Sequence, residues 1–174
     1  MRLLCLFALA AAAFGQEPVE KPRPDRVAIA ALEKAFNGRI RKASNTDPME
    51  VMNAAQGVYL QGFGAVFTAE LDLIMTPGLS PFRQNMTKPE IERVRARKAD
   101  RLPMLKMIMR EAMMETAATL TGMPPEENVV IAVALFHYHW EDWTGMPAQI
   151  VMQAPRKKLL GRASADSAIQ VQEY

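Results

Sequence analysis

His137 and His139 are the only histidines in the chain, and their spacing suggests chemistry. In a strand, residues two apart project from one face, so both imidazoles would reach the same ion. Imidazole suits zinc or copper, but zinc wants three or four ligands. Glu70 and Asp72 form a second pair with the same spacing, and Glu141 follows the histidines closely. A site built from His137, His139, Glu70 and Asp72 requires that the two segments be neighbouring strands and that their faces coincide. It would make the chain a zinc- or copper-binding protein, or a metal-dependent hydrolase. The plainer alternative is that these polar residues line the watery face of a sheet, with Tyr138, Trp140 and Trp143 packing beside them.

The chain has 13 methionines in 174 residues, and thioethers favour Cu(I). At 100° per residue, Leu105, Ile108, Met109, Ala112, Met113 and Leu120 form one apolar stripe, which assigns Met109 and Met113 to a core. Met104, Met107 and Met114 fall on the opposite side among charged residues. They suit cover by another helix, a partner surface or a thioether metal site, in that order. Met49 and Met52, three apart, read the same way. Arg93, Arg97 and Arg101 recur every fourth residue, with Arg95 and Lys98 beside them. This basic stripe is either a solvated face neutralised by Glu90, Glu92 and Asp100, or a surface for an acidic partner. A binding surface on the long helix would therefore use Arg93, Arg97, Arg101, Met104, Met107 and Met114.

Beyond that metal alternative, catalysis finds little support in the pattern. There is no serine elbow, phosphate-binding glycine loop, dinucleotide fingerprint or HExxH-type motif. Lys and Arg number 21 against 19 Asp and Glu, too even a balance for a surface built on nucleic acid or anionic lipid.

The elements that must position these residues follow from periodicity and capping. Residues 1–15 have a basic start, an apolar run over residues 3–13 and small residues before a cut near Gly15/Gln16, the features of a signal peptide. They predict a periplasmic or extracellular protein. The single cysteine, Cys5, lies inside that leader and follows the bulky Leu4, so neither a disulfide nor a lipid anchor is expected. Residues 16–24 are a proline-rich tether. One domain over residues 25–174 follows.

Ile29, Leu32, Phe36 and Ile40, with Asp25 as cap, predict a first helix that Asn37-Gly38 could shorten. The run Asp47-Pro48-Met49-Glu50 predicts a short second helix to about residue 56. Residues 57–75 predict a β-hairpin turning at 61–64, with Phe67, Leu71 and Leu73 on one face of its second strand and Thr68, Glu70 and Asp72 on the other. After a loop over residues 76–86, the capping signal Thr87-Lys88-Pro89-Glu90 opens a long helix to about residue 121, bent or restarted at Pro103. Residues 128–140, 148–154 and 169–173 predict strands, with a short helix or loop over 156–163. The expected class is α+β, a mostly antiparallel sheet with a long helix and N-terminal helices packed on it.

The run Val58-Tyr59-Leu60-Gln61-Gly62-Phe63-Gly64-Ala65-Val66-Phe67 resembles a hairpin pattern of uncharacterised exported bacterial proteins. The resemblance implies a bacterial envelope protein and brings no activity and no functional residue. The leading expectation is a soluble, non-enzymatic binding protein that meets another envelope protein through the long helix or an open sheet edge.

Overall fold

A computed structural model describes residues 23–44, 46–76, 86–161 and 165–174. The expected signal peptide and most of the expected tether lie outside the described residues, as does most of the loop expected over residues 76–86.

Helix α1 spans Arg26–Lys42, and Asp25 caps it by accepting from the Val27 N–H at 3.1 Å. Ile29, Leu32, Phe36 and Ile40 are its buried stripe. It runs through Asn37-Gly38 because Asn37 is used elsewhere: its side-chain oxygen accepts from the Ala55 N–H at 2.9 Å.

The short helix expected after Asp47 is instead a strand, β1 (Glu50–Leu60), antiparallel to β2 (Gly64–Asp72). A capping motif contributes about 1 kcal/mol to a helix too short to hold alone, and the ladder with β2 outweighs it. The carboxylate of Asp47, expected to cap that helix, is bound by Arg97 and Arg101. Of the expected N-terminal helices, only α1 forms. At the hairpin turn, Gly64 has φ +133° and its Cα touches the β3 strand so closely that a Cβ would overlap Asn128. Glu127 accepts from the Gly62 N–H at 2.9 Å, tying the same turn to the start of β3.

Helix α2 (Lys88–Thr119) starts where expected, with Thr87 N–H donating to Glu90 at 2.9 Å. It passes through Pro103 without restarting. Ala99, Asp100 and Pro103 are all exposed, so the carbonyl deprived of its amide partner is on the solvent side. The chain then enters β3 (Asn128–Leu135), β4 (Gln149–Pro155), two short helices α3 (Arg156–Leu160) and α4 (Ala165–Ala168), and β5 (Gln170–Glu173). The order in the five-stranded sheet is β1-β2-β3-β4-β5, antiparallel throughout except for the β2–β3 pair that α2 connects. The molecule is α+β with a mostly antiparallel sheet.

Strand alternation separates two faces. Ala65, Phe67 and Leu71, then Val129, Ile131, Val133 and Leu135, then Ile150, Met152 and Ala154 are buried in one core with the apolar stripes of α1 and α2. No described element packs on the opposite face.

At the β1 edge, side chains of α1 take up the outward backbone groups. Glu33 accepts from the Gly57 N–H at 2.7 Å, Arg26 donates to the Gly57 carbonyl at 3.1 Å, and Asn37 holds Ala55. An edge so covered is a poor template for another strand. Burial works to raise the Glu33 carboxyl, but the hydrogen bonds from Arg26 and Gly57 and the Arg26 charge outweigh it and hold it below the usual range. Stability linked to Glu33 is therefore present above its unfolded value and lost as pH falls through its lowered folded value. Between about pH 5 and pH 3, wild-type urea midpoints should fall more steeply than those of Glu33→Gln, which keeps an acceptor for Gly57 but has no charge to lose. Parallel declines would remove Glu33 from the acid response.

Candidate functional site

The strongest electrostatic feature is a buried ion cluster above the ends of β2 and β3. Lys98 is fully buried. Its Nζ lies 2.8 Å from Asp72 Oδ1 and 2.6 Å from Glu141 Oε2, and donates to the Phe136 carbonyl at 3.4 Å. The Trp143 ring centroid is 5.4 Å away, within cation–π range. Both carboxylate side chains are about as hidden as the ammonium, at 2% exposure each. Asp72 also accepts from the Ile74 N–H and the Thr76 hydroxyl, and Glu141 from the Tyr138 N–H. One cation between two anions, nearly all sealed from water, is costly to assemble and costlier to break.

Three distant segments meet there: the end of β2, the first half of α2 and the loop over residues 136–148. The loop is aromatic. His137 stacks on Trp143 with centroids 4.5 Å apart, Tyr138 on Trp140 at 5.8 Å, and Phe136 meets Tyr138 edge-on at 5.0 Å. Trp143 Nε1 donates to the Pro147 carbonyl at 3.2 Å, closing the loop on itself. From outside, Arg95 pairs with Asp142 at 3.3 Å. The cluster is enclosed, so its chemistry is to pin the aromatic loop to the helix and sheet rather than to meet a substrate.

The strand expected over residues 128–140 stops at Leu135. Phe136 N–H makes a last bond to the Leu71 carbonyl at 2.7 Å, and the chain then turns, with Glu141 N–H donating to the Tyr138 carbonyl at 3.0 Å. His137 and His139 are therefore exposed loop residues, not a same-face strand pair. The segments carrying the two pairs are neighbours, as the metal reading required, but the donors diverge. Glu70 accepts from the Asn53 side chain on the face away from the helices, whereas the loop closes over Asp72 and turns it onto Lys98. Among the described residues, no three His, Cys, Asp or Glu side chains come together as a metal cage.

The long-helix candidates are also divided. Arg97 and Arg101 grip the two oxygens of Asp47 at 2.8 and 3.2 Å, while Arg93 is exposed. Burial would raise the Asp47 carboxyl, but the two guanidinium groups overcome it and hold it below the usual range. Two of the three arginines are thus engaged by an internal acid. Met104 packs against the core, Met107 is 52% exposed, and Met114 lines a depression with Leu159 and Leu160 near α3. The three do not share one environment.

Sequence reasoning placed Lys98 on a basic stripe and missed its role. Its position was the signal: Lys98 falls in phase with Val94, Leu105, Met109 and Ala112, so it had to point inward with them.

The remaining surface is the helix-free face of the sheet. In register across the strands it presents Leu60, Val58 and Gln56, then Val66, Thr68 and Glu70, then Val130, Ala132 and Ala134, then Gln153, Val151 and Gln149, and last Gln170 and Gln172. Val58 is 50% and Leu60 47% exposed. Glu70 is the single charged side chain among these positions, and the next pair in register, Glu50 with Asp72, adds an exposed carboxylate at the end of β1.

Lys98→Met should destabilise by about 3–5 kcal/mol, because two buried carboxylates lose their counter-charge. Adding Asp72→Asn and Glu141→Gln should recover a large part of that loss in urea denaturation; equal instability of the single and triple variants would argue against an electrostatic origin. No protein-family model matches this chain, nor does any curated protein or solved structure.

Proposed function

We propose that the chain is a non-enzymatic interaction protein of the bacterial envelope or exterior and that its partner docks on the helix-free face of the sheet. What carries the reading is the composition of that face. A chain with 40 charged side chains puts few of them on that face: Glu70, and at its far end the Glu50–Asp72 pair, of which Asp72 is turned onto Lys98. A sheet face meant for water alternates charged and polar residues on its outer side. Here Val66, Ala132, Ala134 and Val151 are half-buried around a buried Val130, with glutamines at the margin. Depletion of charge at the centre of a patch with a polar rim is the compositional mark of a protein interface.

The other surfaces considered from sequence support binding less well. Arg97 and Arg101 are committed to Asp47, and α1 side chains occupy the β1 edge. The buried Lys98 cluster gives no opening for a substrate. Export rests on the leader pattern of residues 1–15, and no helix among the described residues is long and apolar enough to cross a membrane.

A photo-crosslinking amino acid in place of Val151, introduced into the full chain in its secreting cell, should yield a discrete adduct. The same probe in place of Arg93, on the helix side, should not. Adducts at Arg93 alone, or at neither position, would contradict the proposal.

A further inference from the structure

The chemistry of the face also constrains what can cover it. We infer that the occupant is a second copy of this chain, the two sheets packing face to face; this rests on the reading of the helix-free face as the interaction surface. Nucleic acid, anionic lipid or an acidic peptide would each need cations, and none of the positions in register carries Lys or Arg. A basic partner would find Glu70, already bonded to Asn53, and Glu50 at the far end of β1, with no anion at the centre of the face. A neutral face is matched by another neutral face, and in its own copy the like charges that could meet are confined to Glu70 and Glu50, both toward one end of the β1–β2 pair.

The same residues complement themselves. Val66, Val130 and Val151 with Ala132 form a low centre, and Val58 and Leu60 stand exposed at the β1 end. Facing sheets pack about 10 Å apart, a gap that valine-sized side chains from both sides fill. Gln56, Gln149, Gln153, Gln170 and Gln172 surround them. Each glutamine amide offers both donors and an acceptor, so copies related by a two-fold axis can bond amide to amide. Five strands about 4.8 Å apart and about seven residues long give a plane of roughly 600 Å². Side-chain relief adds to that, toward the roughly 800 Å² per partner of a standard interface. Joining through the β1 edge instead would require displacing Glu33 and Asn37 from Gly57 and Ala55.

Sedimentation equilibrium of the processed full chain tests this. Wild type should be dimeric, with a dissociation constant that changes little with salt because charge contributes little. Thr68→Glu and, separately, Gln153→Glu should each weaken the dimer at least ~10-fold through like-charge apposition across the interface, while thermal unfolding of the monomer is nearly unchanged. Thr68 is already exposed, so its replacement leaves the core untouched. A dimer that survives both substitutions would overturn the proposal by placing self-association elsewhere. A wild-type monomer at about 100 μM would overturn it as well, corresponding to less than about 5.5 kcal/mol of association. In that case a Val151 adduct with a different molecule would leave the face as an interaction surface with another partner, whereas no adduct would remove both readings.

Discussion

One layer of helices shields one face of a sheet, and that limit shapes this molecule. Helices α1 and α2 both lie on the side of Phe67, Ile131 and Met152, where they close a continuous core. With the described helical layer on that side, the other face must be stable in water or be covered from outside. The chain meets neither demand with charge. It gives that face valine, alanine, threonine and glutamine, and keeps arginine, lysine and most acids for the helices and loops. Such a face is soluble enough for a folded monomer and apolar enough to gain from being covered.

The buried ion cluster supports this arrangement from the other end. β2 and β3 are parallel, so the chain must cross over between them through α2, and the loop after β3 emerges beside the end of β2. Lys98 joins helix, strand and loop at that point with a single ammonium. Because withdrawing Lys98 leaves two buried carboxylates without a counter-charge, the cluster specifies one docking of α2 over the sheet and disfavours shifted ones. The apolar core selects the covered face, and the cluster fixes where the first half of α2 sits over it. The aromatic loop is fixed by the same contact, through Glu141 and Trp143.

Much of this was legible in the sequence where local signals agree with tertiary ones. The stripe from Ile29 to Ile40, the cap at Asp25, the Thr87–Glu90 start of α2 and the glycines of the hairpin each have a local physical cause. Legibility failed where a partner distant in sequence decides. Residues 48–56 carry a good helix start, yet β2 is available to pair with them. Residues 136–140 continue an apolar, aromatic run, but the β2–β3 pairing ends at Leu71 and Leu135, where Asp72 turns to Lys98. The histidine and carboxylate pairs looked like one site because strand alternation was extended past the end of β3 and assumed to hold for Asp72, the last residue of β2. Lys98 was misread for the opposite reason: its charge was given more weight than its phase on the helix.

The account depends most on the helix-free face being covered when the protein is intact in solution. Methyl NMR with a soluble paramagnetic relaxation agent measures that directly. Val27, 72% exposed on α1, reports a methyl open to water; Val58, 50% exposed in the single chain, reports the face. With the face covered, the methyls of Val58, Val66 and Val151 should relax far more slowly than those of Val27 and recover exposure on dilution. Relaxation of Val58 close to that of Val27 at every concentration would contradict the account.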